Sequence, residues 1–143
     1  MCGRYRLSRR KQLVEECFDS VSDLEDWTPR YNIAPTQPVA IVRQHPRGPV
    51  RALSLARWGL IPSWSKDASA SAKMINARSE TASDNPAIRD ALKFRRCLLP
   101  ADGFYEWSRH EAACVIVRRA PLDRTCHPIG STLRGMAIRQ RLV

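Results

Sequence analysis

The sequence lacks the features of several large protein classes. No run approaches the roughly 20 apolar residues that span a membrane, and the basic N-terminus is not followed by the apolar stretch of a secretory signal. The six glycines form neither a dinucleotide-binding nor a phosphate-binding motif. The five cysteines include no C-x-x-C pair, and no Cys/His cluster has the spacing of zinc ligands. We therefore expect a cytoplasmic protein without membrane association, metal or cofactor.

Lysine is scarce, whereas arginine is abundant. Only four of the 24 basic residues are lysines, which leaves 20 arginines in a chain whose formal net charge is +10. The guanidinium group suits phosphate oxygens and also stacks on bases, so this excess favours a nucleic acid as the partner. A GC-rich genome that encodes basic positions as arginine explains the composition equally well. Charge alone therefore does not decide the function.

The order of predicted elements is typical of a single α+β domain. With 143 residues, 43% of them apolar, the chain is large enough to bury a core. Helical spacing over residues 8–18 predicts a first helix with Ser8 as its candidate cap. PVAIVRQ and VRALSLARWGLI read as strands, and RYNIAPTQ between the helix and these strands reads as a loop.

The second half of the chain adds shorter elements. Residues 86–94 suggest another helix, and RRCLLPADGFYEW reads as a buried apolar strand, a turn and an aromatic strand. One further strand is plausible at ACVIV. We expect a strongly curved mixed or antiparallel β-sheet, or a partial β-barrel, with two or more short helices.

Cys2 is the first candidate for chemistry. Removal of the initiator Met would leave this cysteine with a free α-amine and a thiol on adjacent carbons, whose unperturbed pKa values are about 7.7–8.0 and about 8.5. The amine condenses with an aldehyde to an imine, and the thiol closes onto it to form a five-membered thiazolidine. Alternatively, the thiol acts as the nucleophile and the amine as its base. A second-position cysteine without any role is the competing interpretation.

Polar residues elsewhere in the sequence are suited to support such chemistry. Gly3 permits close approach, and the cation of Arg4 suits phosphate. Asn76 in MINARSET can orient a carbonyl or aldehyde, and Glu106 in DGFYEW can move protons near a reacting amine. Each also has a structural interpretation, Asn76 as a turn cap and Glu106 as a solvated strand residue.

Five motifs occur in a fixed order along the chain. They are MCGRY, RYNIAPTQ, RWGLIPSW with a following KD, INARSET and RRCLLPADGFYEW. In this order they resemble the SOS response-associated peptidase family, the abasic-site processing proteins, from Met1 to about Arg109. Such a set of motifs is too specific to arise by chance.

The resemblance implies a function and a set of site residues. It implies binding of single-stranded DNA and a covalent crosslink between the N-terminal cysteine, here Cys2, and the ring-opened aldehyde of an abasic site. Asn76 would orient the opened sugar and Glu106 would assist proton transfer. Arg4 and Arg78 would contact DNA phosphates. Trp64 is a candidate for stacking on a base, which tolerates any sequence. The peptidase name implies hydrolase or lyase chemistry, including removal of the initiator Met.

The resemblance stops after about Arg109. The family continues with further strands and a His-Asp-Arg-Met-Pro-like segment whose histidine is catalytic. His110 and His127 lack that context and are not assigned the role. We therefore divide the chain into an incomplete domain over residues 1–109 and a divergent basic segment over residues 110–143. Missing strands would expose sheet edges, so we expect marginal stability or aggregation.

Two other functions remain open from the sequence. One is a non-catalytic DNA-binding module that uses the arginine-rich surface and binds with a steep dependence on salt. The other is an inactive remnant that neither folds nor binds. For the leading hypothesis we expect a cytoplasmic protein that is associated with the nucleoid when bound to DNA.

Overall fold

The structure, a computed structural model, describes residues 3–45, 48–107 and 114–117. Seven strands and two α-helices occur in these ranges, with one 3-10 helix at Ser69–Lys73. The strands are β1 (Arg4–Leu7), β2 (Ser20–Val21), β3 (Arg30–Ile33), β4 (Pro38–Gln44), β5 (Arg51–Arg57), β6 (Gly103–Trp107) and β7 (Cys114–Val117). The helices are α1 (Lys11–Phe18) and α2 (Arg89–Phe94).

The strands form two sheets. The four-stranded sheet has the order β3-β1-β6-β7 and is antiparallel throughout, and the three-stranded sheet has the order β2-β5-β4. In the second sheet β4 pairs antiparallel with β5 along its whole length, whereas β2 runs parallel to β5. The predicted α+β class with mixed and antiparallel sheets is confirmed.

Both sheets contribute to one main hydrophobic core. Alternation along β1 turns Tyr5 and Leu7 inward, and β4 adds the consecutive buried residues from Val39 to Val42. The rings of Tyr5 and Trp58 meet edge to face with centroids 5.2 Å apart. This contact joins the beginning of the chain to the segment that follows β5.

A second, smaller cluster packs α2 onto the middle of the chain. It contains the buried residues Leu60, Ala82, Ile88 and Ala91, with Met74 packed against it. Leu60 of this cluster is two residues after Trp58 of the main core, so the two clusters are adjacent along the chain. The segment with Asn76 and Arg78 lies between Met74 and Ala82.

Several local predictions are corrected by tertiary contacts. RYNI was expected in a loop but forms β3, because Ile33 is buried opposite Tyr5 in the register with β1. The predicted strand at RRCLL is reduced to isolated bridge positions at Arg96 and Leu98. Leu98 pairs with Val42 and is exposed. The strand predicted at residues 50–61 ends at Arg57, where the chain enters the packed turn that contains Gly59.

Ser8 does not cap α1 as predicted. The N-cap residue is Arg10, without a side-chain cap, and the Ser8 hydroxyl instead donates to Asp102 Oδ2 at 2.7 Å. The backbone N–H of Ser8 donates to the same oxygen, and Arg9 Nε lies 3.5 Å from Asp102 Oδ1. Asp102 thus holds the turn between β1 and α1 while its side chain is only 3% exposed.

Replacing Asp102 with Ala is expected to lower the free energy of unfolding by about 3 kcal/mol. The substitution leaves two Ser8 donors and the Arg9 cation without their buried acceptor, and uncompensated groups of this kind cost more than the lost bond itself. Urea unfolding of the full chain measures the change. Ser8→Ala removes only the hydroxyl donor, and Asp102 still accepts from the backbone N–H of residue 8, so a smaller loss of stability is expected. Equal losses in the two variants would contradict this role of Asp102.

Several large apolar side chains are exposed on or beside the three-stranded sheet. Val21, Val50, Leu55 and Leu98 are between 44% and 60% exposed. Such side chains favour association between molecules, which is the basis of the expected tendency to aggregate.

Within the described ranges, no helix is both long and apolar enough to cross a membrane.

Candidate functional site

The candidate site lies where β1 begins and β6 ends. Arg4 is the Cα partner of Tyr105 and Tyr5 is the partner of Phe104 in this antiparallel pair. Glu106, which follows Tyr105, therefore stands at the end of β6 that borders the N-terminal end of β1. This arrangement results from the pairing of the MCGRY and DGFYEW motifs, which are about 100 residues apart in the chain. Cys2 itself lies outside the described residues.

Arg4 is exposed on the outer face of the four-stranded sheet. Its Nη1 donates to the side-chain oxygen of Asn32 in β3 at 2.9 Å, which directs one edge of the guanidinium group along the sheet. The Tyr105 hydroxyl donates to the backbone oxygen of Tyr31 at 2.6 Å and ties β6 to β3 on the outside. The position of Arg4 is thus fixed by strands that flank β1 on both sides.

Glu106 is partly buried in β6 and is also the Cα partner of Val115 in β7. Alternation along β6 places it on the same sheet face as Phe104, which packs against the main core. A carboxylate at the border of the core has fewer water contacts than a fully exposed one. Glu106 is therefore not the fully solvated strand residue of the structural interpretation.

Asn76 and Arg78 lie together on the segment between Met74 and Ala82, and both are exposed. The preceding Ile75 packs against the cluster that contains Tyr5, so this segment and β1 share one core. The backbone N–H of Leu60 donates to Met74 O at 2.9 Å and fixes where the segment starts. Asn76 itself also interacts with another group of the fold.

The backbone of Ser71, which precedes this segment, packs so closely against position 59 that this position requires a glycine. Gly59 has a φ of +134°, and a Cβ atom at this position would lie 2.3 Å from the backbone oxygen of Ser71. Ser71 is fully buried, accepts from Arg57 Nε at 3.3 Å and donates to Ala68 O at 2.6 Å. Sequence reasoning missed the role of Ser71, because a serine in a polar loop carries no signal of burial.

Trp64 is on a separate loop after the buried Pro62 and is 69% exposed. Ser65 N donates to Pro62 O at 3.1 Å, and Ser69 N donates to Asp67 Oδ1 at 2.7 Å. The hydrogen bonds from Ser69 lower the pKa of Asp67. The loop is therefore held by its own hydrogen bonds, and the Trp64 ring remains available for stacking.

Among residues 3–45, 48–107 and 114–117, no group of three or more His, Cys, Asp or Glu side chains could hold a metal ion. His110 and His127 lie outside these ranges. The structure thus brings the start of β1 next to Glu106, and Ile75, which precedes Asn76, packs against the same core. Asn32 and Tyr105 were not predicted from the sequence, since their contacts connect residues far apart in the chain.

The comparisons with known proteins agree on one family. The family model of the SOS response associated peptidase (SRAP) matches residues 1–122. The abasic site processing protein YoqW of Bacillus subtilis (strain 168) is 40% identical over 124 residues, which cover 85% of this chain and 54% of that protein. The abasic site processing protein HMCES of Xenopus tropicalis is 36% identical over 100 residues, or 63% of this chain and 30% of that protein.

Solved structures share the fold of this chain. A crystal structure of a Bordetella bronchiseptica protein aligns with a TM-score of 0.65 at 30% identity, covering 82% of this chain and 56% of that chain. A Bacteroides thetaiotaomicron protein aligns with a TM-score of 0.66 at 21% identity, covering 80% and 52%, which shows the fold alone. The chain spans about half the length of the curated Bacillus relative it matches.

Proposed function

Because the chain belongs to the SOS response-associated peptidase family, we propose that it processes abasic sites in DNA. It binds single-stranded DNA and joins Cys2, after removal of Met1, to the abasic-site aldehyde as a thiazolidine. The observation that carries the proposal is the pairing of β1 with β6. Arg4, two residues after Cys2, pairs with Tyr105, and Glu106 follows directly.

The reaction needs no oxidant or metal. The α-amine of Cys2 adds to the aldehyde carbon of the ring-opened sugar, and loss of one water gives an imine. The thiol sulfur then adds to the imine carbon while its proton passes to the nitrogen. One C–N and one C–S bond form, so the product is the sum of protein and DNA less one water.

The proposed roles of the other residues follow from their chemistry and exposure. Glu106 would carry protons between the leaving water and the amine, and Asn76 would hold the opened sugar by its amide. Arg4 and Arg78, both exposed cations, would bind phosphates, and the exposed ring of Trp64 would stack on a base. Removal of Met1 is the peptidase-like step that would release the α-amine. The protein would act in the cytoplasm, at the nucleoid when bound to DNA.

The test is the intact mass of the full chain after incubation with a single-stranded oligonucleotide that carries one abasic site. We expect a heat-stable species with the mass of the Met1-free chain plus the oligonucleotide, less one water. The matched controls are the undamaged oligonucleotide and one whose abasic aldehyde is reduced to an alcohol, and neither should react.

A sample that melts cooperatively but forms no adduct would overturn the covalent proposal. Binding that weakens steeply with salt would then identify a non-catalytic DNA-binding module. A sample that neither melts cooperatively nor binds DNA would identify an inactive remnant.

A further inference from the structure

A second aromatic and basic surface lies at the C-terminal end of α2. We define the α2 patch as Lys93, Phe94 and Arg96. Phe94 is 72% exposed, more than the side chain of Trp64 at 69%. Lys93 Nζ lies 5.1 Å from the centre of the Phe94 ring, within the range of a cation–π interaction.

Packing of the helix does not account for Phe94. The face of α2 that contributes to the core carries Ala91 and Leu92, together with Ile88 just before the helix. Basic residues at the end of a helix favourably face its last carbonyl groups, which explains Lys93 and the arginines after it. It does not explain a large aromatic ring in solvent beside them.

The charge around the ring favours an anionic ligand. The single acidic residue of α2 is Asp90, which lies 3.8 Å from Arg89 and is thereby paired. Lys93 and Arg96 are both exposed. An exposed ring flanked by cations is the arrangement that binds single-stranded nucleic acid, where the base stacks and the phosphates pair with the cations.

The patch belongs to the same packed unit as the candidate site. Ala91 of α2 shares a hydrophobic cluster with Ala82 and Leu60, and Met74 packs against that cluster. Met74 and Ala82 bound the segment that carries Asn76 and Arg78. A DNA strand held near Arg78 and a contact at α2 would therefore act on one connected part of the molecule.

We propose that the α2 patch is a second contact for single-stranded DNA, in which Phe94 stacks on a base while Lys93 and Arg96 bind phosphates. The identity of the ligand rests on the proposed function, but the contact does not require the covalent step. Stacking on the ring would hold DNA that flanks the abasic nucleotide.

The test measures the affinity of the full chain for an undamaged, fluorescently labelled single-stranded oligonucleotide by anisotropy. Phe94→Ala is expected to weaken binding about tenfold, since one base loses the aromatic ring on which it stacks. Phe94→Trp should retain the affinity, whereas Phe94→Leu should lose it like Phe94→Ala. Val21→Ala, which shortens another exposed apolar side chain, is the matched control and should bind normally.

The cations have their own readout. Replacing Lys93 and Arg96 together with Gln should lower the slope of log affinity against log salt by about 1.4, because each phosphate contact on a single strand contributes about 0.7. Melting temperatures of all variants should match the unsubstituted chain, since the side chains are exposed. Wild-type affinity in Phe94→Leu would overturn the proposal, and so would an unchanged salt slope in the Lys93 and Arg96 variant. Substitutions that change only the self-association of the protein, and not its affinity for DNA, would also overturn it.

Failure of this proposal is distinguishable from failure of the covalent one. Phe94→Ala should give the normal adduct yield at saturating abasic DNA while its affinity for undamaged DNA falls. If the unsubstituted chain forms no adduct and Phe94→Ala still binds more weakly, the α2 patch stands without crosslinking. If the adduct forms and the affinity does not change, only the crosslinking proposal stands.

Discussion

Cys2→Ala is expected to abolish the heat-stable adduct with abasic single-stranded DNA. The variant keeps an α-amine and can still form an imine, but it has no sulfur to close the ring, and an imine hydrolyses on heating. Gel electrophoresis after heating should therefore show no crosslinked band. Treatment with borohydride before heating should restore a band, because reduction traps the imine.

Two controls separate the thiol from the amine in this experiment. Cys2→Ser should behave like Cys2→Ala if a stable ring requires sulfur. Cys97→Ala removes a partly buried thiol elsewhere that is not in a disulfide, and should leave the adduct unchanged. A heat-stable band that persists in Cys2→Ala would disprove the thiazolidine mechanism, and loss of the borohydride-trapped band as well would show that the variant no longer presents its amine to the sugar.

Gly59→Ala is expected to destabilise the fold strongly. The added Cβ would lie 2.3 Å from the backbone oxygen of Ser71, and the φ of +134° is one that residues with a side chain rarely adopt. We expect the free energy of unfolding to fall by roughly 3 kcal/mol, since a strained backbone and a buried clash each cost about 1–3 kcal/mol. This is a large share of the 5–15 kcal/mol typical of a whole domain.

The same substitution should reduce capture of the abasic site. Ser71 O accepts from Met74 N at 3.1 Å, so displacement of Ser71 moves the start of the segment that carries Asn76. Urea unfolding and adduct yield measured on the same sample test both effects. Gly48→Ala is the matched control, because a Cβ atom there meets nothing within 4 Å. Equal stability of the two variants would contradict the close packing described for Gly59.

The sequence offered candidate site residues but gave no signal of the contacts that support them. Ordered motifs singled out Cys2, Asn76, Glu106 and the DNA-binding candidates, whose roles stay predictions. Nothing in the linear pattern indicated that Asn32 orients Arg4 or that Asp102 holds the turn after β1. Such partners are separated by tens of residues, and their pairing becomes visible only in the folded chain.

By itself the sequence determined the family, the α+β class and the strand at Pro38–Gln44, because motifs and hydrophobic alternation are local patterns. The tertiary structure decided that RYNI becomes a strand, that Ser8 binds Asp102 and that position 59 tolerates only glycine. Each of these outcomes depends on a contact with a distant residue. The free energy of that contact outweighs the local preference, so local preference alone could not predict it.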